Sequence, residues 1–248
     1  MRIAVAGATG LVGAQVVSLA REEGHEVVEI ARRTGFDLTD PDTTGLESAL
    51  TGADAVVEVT SYPSIDEAEA TSFFTTVATN LGRAATAAGV RRGVVLSIVG
   101  IDESQDYGYY RAKLAQERAT RAAAAGALVL RATQFHEFAR QMLEWNTRAG
   151  VARIMDVPTQ PVDTAEVARV LVDLATGALD RDTDLAGPRE ERLVDLVRRY
   201  ADHVGAVVRV EPGEAPASMA GGSMLPGRDA LLRGIDWETW LARQPARR

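Results

Sequence analysis

Apolar and polar positions along this chain alternate between two periods. Residues 2 to 6 run Arg-Ile-Ala-Val-Ala and break at Gly7, the pattern of a short strand buried on both faces. From 11 to 23 the period lengthens: Leu11, Val12, Val16, Leu19 and Ala20 share one face and Gly24 ends the run, which predicts a helix. The unit then recurs. Strands are predicted at Glu26–Ile30, Ala53–Val59, Gly93–Ser97 and Ala127–Arg131, with helices over about 66–88 and 109–124 closed by Gly89 and Gly126. Strand and helix in regular alternation predict an α/β fold, a Rossmann doubly wound parallel sheet covered on both faces.

After Arg131 the alternation loosens into a helix at about 135–148, a strand at Val151–Met155, Pro158 and Pro161, and a helix from Asp163 to Thr176. The expectation is one Rossmann domain over 1–248, with a cofactor-binding core mainly in 1–150 and a small C-terminal substrate lobe mainly in 151–248. Residues 211–227 are rich in Gly, Pro, Ala and Ser and include Met219, Met224 and Leu225. They read as a mobile loop or, given the apolar residues, as a lid.

The break at Gly7 is chemically informative. Gly7-Ala8-Thr9-Gly10-Leu11-Val12-Gly13 follows a predicted strand and opens a predicted helix. Glycines at this spacing permit a tight turn and close backbone approach, and the helix start offers unpaired N–H groups to a pyrophosphate. A nicotinamide dinucleotide is the expected ligand. Past the next strand stand Ala31-Arg32-Arg33, where an NAD-preferring site would present a carboxylate to the ribose 2′-hydroxyl. Guanidinium forks match a 2′-phosphate, so Arg32, with Arg33 behind it, favours NADP(H) over NAD(H), with NAD(H) still possible. Glu29 is the competing acid, and alternation within its strand is expected to face it elsewhere.

The chain holds a single lysine, Lys113, four residues after Tyr109 in Tyr109-Tyr110-Arg111-Ala112-Lys113. Residues at i and i+4 share a helix face, so the ammonium can approach both the phenol and a bound nicotinamide ribose. A positive charge there favours phenolate and eases proton transfer near neutrality. Ser97, at the end of the preceding strand, is placed to hold a substrate carbonyl beside Tyr109. Asn80 is open to two readings, a proton relay or helix packing. Phe135, Phe138, Met142 and Trp145 fall at helical spacing, as core or as the wall of an apolar pocket. His136 has no partner at i+4 and reads as a residue on a partly exposed helix.

On these motifs the chain resembles an atypical short-chain dehydrogenase/reductase of the NmrA-like branch. The likeness extends through Phe36-Asp37-Leu38, Val59-Thr60-Ser61, Leu96-Ser97-Ile98-Val99-Gly100, Leu130-Arg131-Ala132-Thr133-Gln134-Phe135 and Pro161-Val162-Asp163-Thr164-Ala165-Glu166-Val167-Ala168. It implies Thr9, Leu11 and Val12 near the pyrophosphate, Arg32 at the 2′-phosphate, and Asp37 and Leu38 by adenine. It further implies Val59, Thr60 and Ser61 along the cofactor, Lys113 on the nicotinamide ribose, and Thr133, Gln134 and Phe135 bordering the nicotinamide. In that family Tyr, Lys and Ser carry out hydride-coupled proton transfer, and many NmrA-like members that lack the tyrosine act as redox sensors. The expected activity is an NADP(H)-dependent reductase of a small carbonyl, quinone or enone. The alternatives are an NADP(H)-sensing regulator and a non-redox epimerase or dehydratase.

Composition narrows the field. Of 248 residues 27 are Lys or Arg and 35 Asp or Glu, a net charge of −8, which repels polyphosphate backbones and argues against nucleic acid. There is no cysteine, and His25, His136 and His203 are too scattered to suggest a metal site. The first apolar run is too short for a signal peptide or a membrane span, so a cytoplasmic protein acting on a small molecule is expected, as monomer or homodimer.

Overall fold

Continuous apolar runs bounded by glycine become central parallel strands, and longer runs at helical period become the helices that cover them. The computed structural model describes residues 1–62, 64, 66–124 and 126–246. In chain order these form β1 (Arg2–Ala6), α1 (Leu11–Glu22), β2 (Glu26–Ile30), a 3-10 turn (Arg32–Thr34), α2 (Thr44–Leu50), β3 (Ala55–Glu58), α3 (Glu67–Ala87), β4 (Arg92–Ile98), α4 (Gly108–Ala123) and β5 (Leu128–Ala132). The chain continues as α5 (Phe138–Asn146), β6 (Thr147–Arg148), β7 (Val151–Met155), β8 (Pro158–Thr159), α6 (Thr164–Thr176), β9 (Thr183–Ala186) and β10 (Glu191–Arg192). It ends with α7 (Leu193–His203), β11 (Arg209–Gly213), α8 (Ala217–Ala220), β12 (Leu231–Leu232) and α9 (Trp237–Ala242). The main sheet has seven strands in the order β12-β9-β5-β4-β3-β1-β2, a Rossmann-like α/β arrangement. The pairs β1/β2, β1/β3, β3/β4 and β9/β12 are parallel. No helix among the described residues is long and apolar enough to cross a membrane.

Two compact units interleave along the chain. The first comprises Met1–Ile98, Gly108–Arg131 and Thr164–Thr183; the second, Val99–Tyr107, Ala132–Asp163 and the chain from Asp184 onward. Thus α6, although it lies beyond residue 150, belongs with the N-terminal strands, where Gln15 on α1 donates to the Thr164 hydroxyl at 2.7 Å.

In the first unit Ile3, Ala4, Val5 and Ala6 are fully buried, as a central parallel strand requires. Ala4, Ala6, Ile30, Leu50, Val56 and Leu81 join one apolar cluster that fixes the strand ends carrying the glycine turn. Helices α3 and α4 approach closely because Gly82 presents no side chain: a Cβ there would lie 2.4 Å from the Ala123 Cβ.

The second unit departs most from the sequence expectation. Residues 211–227 are not a bare loop: they include the end of β11 and helix α8, and Met219 and Met224 are almost fully buried. They are tied to the loop Val99–Tyr107. Ser223 and Ser104 share a hydrogen bond of 2.7 Å, the Ser218 amide donates to Asp106 at 3.0 Å, and a Cβ on Gly100 would lie 1.6 Å from the Ser223 carbonyl oxygen. The apolar residues that suggested a lid are used in packing. His136 is likewise fully buried, its Nε2 3.0 Å from the Ile235 carbonyl oxygen and its ring beside Trp240, because α9 folds over it. Burial lowers its pKa. Within the aromatic stripe Met142 is buried whereas Trp145 is exposed.

The Gly82 contact sets two effects against each other. Alanine improves helix propensity by about 1 kcal/mol, whereas overpacking costs about 1–3 kcal/mol. Because the clash is between two short, rigid side chains, Gly82→Ala is expected to destabilise the protein by roughly 1–2 kcal/mol in urea denaturation. Adding Ala123→Gly should recover most of the loss beyond its own propensity cost. A stabilised single variant would contradict this packing account.

Candidate functional site

The glycine turn is the most constrained backbone of the first unit. Gly7 takes φ +88° and donates its N–H to the Ile30 carbonyl at 2.9 Å, tying the end of β1 to the end of β2. A Cβ on Gly7 would lie 2.9 Å from the Val59 carbonyl, and one on Gly13 would lie 2.1 Å from the Gly7 oxygen. Any side chain at either position would close the cradle. Gly10 precedes α1 in an extended conformation, donates to the Gly7 carbonyl at 3.0 Å, and supplies no side-chain cap. The first amide bonded within the helix is that of Ala14, to the Gly10 carbonyl at 3.0 Å. The amides of Leu11, Val12 and Gly13 therefore precede the intrahelical ladder, and no acidic residue occupies the first turn. Uncapped amides with the positive end of a helix dipole, in a turn stripped of side chains, fit a pyrophosphate.

At the end of β2, Thr34 folds the 3-10 turn back, accepting from the Ala31 amide at 3.0 Å and donating to the Glu29 carbonyl at 2.9 Å. A recess of about 450 Å³ opens here, lined by Thr9, Arg21, Glu29, Arg33 and Thr34 together with Ala8, Ala14 and Val17. Two expectations change. Glu29 does face the recess, but its carboxylate accepts from Arg21 of α1 at 2.7 Å and is neutralised. Arg33, rather than Arg32, lines it. Arg32 lies toward Asp37, whose carboxyl is held below its ordinary pKa by hydrogen bonds from the Thr39 hydroxyl and amide and, less strongly, by the Arg32 charge.

A second recess, of about 130 Å³, is lined by Phe36, Asp37, Leu38, Thr43, Leu46 and Asn80 among others. Phe36 and Leu38 pack on the apolar cluster beneath the sheet end. Asn80 resolves differently from either sequence reading. Its Nδ2 donates to the carbonyls of Leu38 and Asp40 at 3.0 and 2.9 Å, so both amide protons anchor this loop and none is left for a relay.

The side chains expected to move protons all lie in the first unit. Tyr109, half-buried at the start of α4, packs edge-on against Phe74, ring centroids 5.8 Å apart, in a cluster that includes Tyr62 and Phe73. One turn on, Lys113 is only 5% exposed. Its ammonium donates to the Leu96 carbonyl at 2.9 Å and to Gln116, and it lies 4.8 Å from the centre of the Phe74 ring. Burial lowers its pKa to about 8, against the opposing pull of Glu58 and Glu117. Ser97 follows Leu96 in β4; its hydroxyl is buried and has no hydrogen-bond partner among the described residues. Such an orphaned hydroxyl is costly to bury and is satisfied by a ligand oxygen or a water.

Sequence reasoning missed Glu58 and Gln116. Gln116 Nε2 donates to Glu58 Oε1 at 2.5 Å while its carbonyl accepts from Lys113, and the Thr60 hydroxyl donates to the same Glu58 oxygen at 3.0 Å. Glu58 is buried, and burial raises its pKa. A usable signal existed: a carboxylate closing an otherwise apolar strand, with Gln116 three residues past the lysine on its helix.

In the second unit Thr133 donates from its hydroxyl to the Gln160 carbonyl at 2.6 Å, Gln134 accepts from Thr159 at 2.7 Å, and Phe135 pairs by backbone with Val162. The hydroxyl of Thr133 and the carbonyl of Gln134 are thus engaged in holding the strand-to-helix turn before α5.

Among solved structures the chain is similar to an NADPH-dependent quinone oxidoreductase from Escherichia coli in complex with NADPH. The TM-score is 0.74 at 16% identity, covering 97% of this chain and 98% of that one. It is also similar to a dTDP-4-dehydrorhamnose reductase from Clostridium acetobutylicum, with a TM-score of 0.72 at 16% identity over 87% and 84% of the two chains. A third, from Bacillus anthracis in complex with NADP and also a dTDP-4-dehydrorhamnose reductase, gives 0.69 at 14% identity over 98% and 97%. At these identities the likeness concerns the fold. No curated protein matches the chain by sequence. The NAD(P)H-binding family model matches residues 7–177, from the first glycine of the turn to the end of α6, and the chain belongs to that family.

Proposed function

We propose that this protein is an NADP(H)-dependent reductase of a small carbonyl, quinone or enone, with Tyr109 as proton donor. The observation that carries the reading is the placement of Lys113: an ammonium nearly removed from solvent, one helical turn from Tyr109 and bonded to the residue before Ser97. Removing a charge from water costs several kcal/mol, which a structural lysine on a surface helix does not incur. Bound NADPH would supply the hydride. Tyr109 gives its phenolic proton to the substrate oxygen as charge develops there, and Ser97 donates a hydrogen bond to that oxygen. Two of the three ammonium protons of Lys113 are committed to Leu96 and Gln116; the third would serve the ribose or the phenol once cofactor and substrate are bound. Its charge favours the phenolate and so lowers the cost of releasing the proton.

The preference for NADP(H) is supported by the recess beside Thr9. With Glu29 neutralised by Arg21, Arg33 is the charge that lining presents without a carboxylate partner among the described ion pairs, and a dianionic 2′-phosphate suits it. The fold shared with the quinone oxidoreductase and the dehydrorhamnose reductases is consistent with reduction and leaves the substrate to be found.

The test follows NADPH absorbance across a panel of quinones, ketones and enones. Tyr109→Phe is expected to lower kcat by about 10²-fold or more while leaving the NADPH Kd within about threefold, and Lys113→Met to lower kcat at least as much and, where its ammonium holds the ribose, to weaken NADPH binding as well. Tight binding without turnover, indifferent to Tyr109→Phe, would sink the reading in favour of a sensor; product formation without net NADPH oxidation would favour internal hydride return. Because protonated Lys113 is the active form, turnover should be retained below its pKa of about 8 and decline as pH rises through it. Replacing Arg32 and Arg33 together by alanine should reduce the ratio of NADPH to NADH affinity by at least about tenfold, close to 1.4 kcal/mol. An unchanged ratio would remove the assignment of these arginines.

A further inference from the structure

Glu58 has no part in the reaction as written, yet it is among the most buried carboxylates of the first unit. It closes β3 after Ala55, Val56 and Val57, a strand that is otherwise apolar and buried. A carboxylate in such a place needs partners, and it has them on three sides: Thr60 at 3.0 Å, Gln116 at 2.5 Å, and the charge of Lys113. The orientation of Gln116 follows from its neighbours. An ammonium can only donate and a carboxylate can only accept, so the amide must turn its oxygen to Lys113 and its nitrogen to Glu58. The Gln116 dipole is therefore aligned between a positive and a negative group.

The charges that face Lys113 can be assigned one by one. From its own helix there is Glu117, but that carboxylate receives both ends of the Arg131 fork from β5, at 2.9 and 2.8 Å, and is already paired. From α3 comes the uncharged Phe74, from β4 the Leu96 carbonyl, and from β3 Glu58. Glu58 is the remaining counter-charge. Its other partner, Thr60, belongs to the segment Val59-Thr60 on which Gly7 packs without room for a Cβ.

We propose that Glu58 is a positioning residue: acting through Gln116, it keeps the Lys113 ammonium charged and aimed along the Tyr109 face of α4. It ties that aim, through Thr60, to the backbone that cradles the cofactor. The significance of this for turnover rests on the reductase reading, but the coupling itself does not.

The single lysine makes the coupling directly measurable. In protein labelled with [13Cε]-lysine, one NMR resonance reports the titration of Lys113, with no assignment needed. Glu58→Gln keeps the shape and one carbonyl oxygen able to accept from Gln116 and Thr60, and removes the charge. It should lower the Lys113 midpoint by about one unit or more, a tenfold change in its proton affinity, with circular dichroism unchanged. Gln116→Leu, which cuts the link and leaves both charges, should also lower the midpoint and serves if the first variant fails to fold. A midpoint within about 0.3 units of wild type in either folded variant overturns the proposal. In the kinetic arm Glu58→Gln should reduce kcat by about tenfold or more and leave the NADPH Kd within about threefold, whereas a side chain needed only for folding would alter neither in the isosteric variant. An unchanged kcat overturns the positioning role. A shifted midpoint in a protein whose turnover is indifferent to Lys113→Met would show the coupling to be real and the reductase reading to be wrong.

Discussion

Backbone lying on backbone, with no space for a methyl group between, governs the N-terminal unit. Gly13 rests on the Gly7 carbonyl and Gly7 rests on Val59 and Thr60, so the ends of β1 and β3 and the start of α1 are drawn together at distances only glycine permits. The apolar cluster of Ala4, Ala6, Ile30, Leu50, Val56 and Leu81 behind them supplies the rigidity. From this follow both the uncapped amides of Leu11, Val12 and Gly13 and the height at which Thr60 and Glu58 emerge from the sheet. A turn whose free amides fit a pyrophosphate and the first link of a buried polar chain are consequences of one packing constraint.

The second theme is the pairing of charge between helices and strand ends, at the surface for Arg21 and Glu29 and out of water for Glu117, Glu58 and Lys113. Arg131 is paired to Glu117, Arg21 to Glu29, and Lys113 is linked to Glu58 by Gln116, each between a helix and a strand end. The first two are direct ion pairs that neutralise themselves. The third is indirect: burial depresses the lysine to about 8 and raises the glutamate, so both groups sit closer to neutrality than they would in water. A compact ammonium can turn its donors to the Leu96 carbonyl and to Gln116 beside the Phe74 ring, a fit that a broad planar guanidinium does not match, and this is where a chain that otherwise uses arginine throughout has its one lysine.

Much of the fold was legible because parallel strands and amphipathic helices write their periods into the sequence. The strands Glu26–Ile30 and Val151–Met155 fall where the pattern puts them, and glycines mark helix ends at Gly24, Gly89 and Gly126. The second unit was harder, since β9 to β12 are two to five residues long, too short to show a period, and Gly- and Pro-rich composition hid the burial of Met219 and Met224. The glycine turn was readable because its chemistry is backbone chemistry, local in sequence. Pairings between distant residues were not: Glu29 with Arg21, Asn80 with the Leu38 and Asp40 carbonyls, and Gln116 with Glu58 depend on how a helix crosses a strand end. His136 was misjudged for the same reason, its environment being set by Ile235 and Trp240 a hundred residues later.

A nicotinamide that reacts at this site, rather than merely binding there, must give up its hydride. The most direct measurement uses NADPH carrying deuterium at the transferable position of its nicotinamide ring, with mass spectrometry of the recovered acceptor. One deuterium on carbon of a reduced ketone or enone, or label lost to water from the hydroquinone of a quinone, is expected with stoichiometric NADP+, each formed about 10²-fold more slowly or worse by Tyr109→Phe. NADPH recovered intact from a saturated protein, with no deuterium in any acceptor, would contradict the reductase reading.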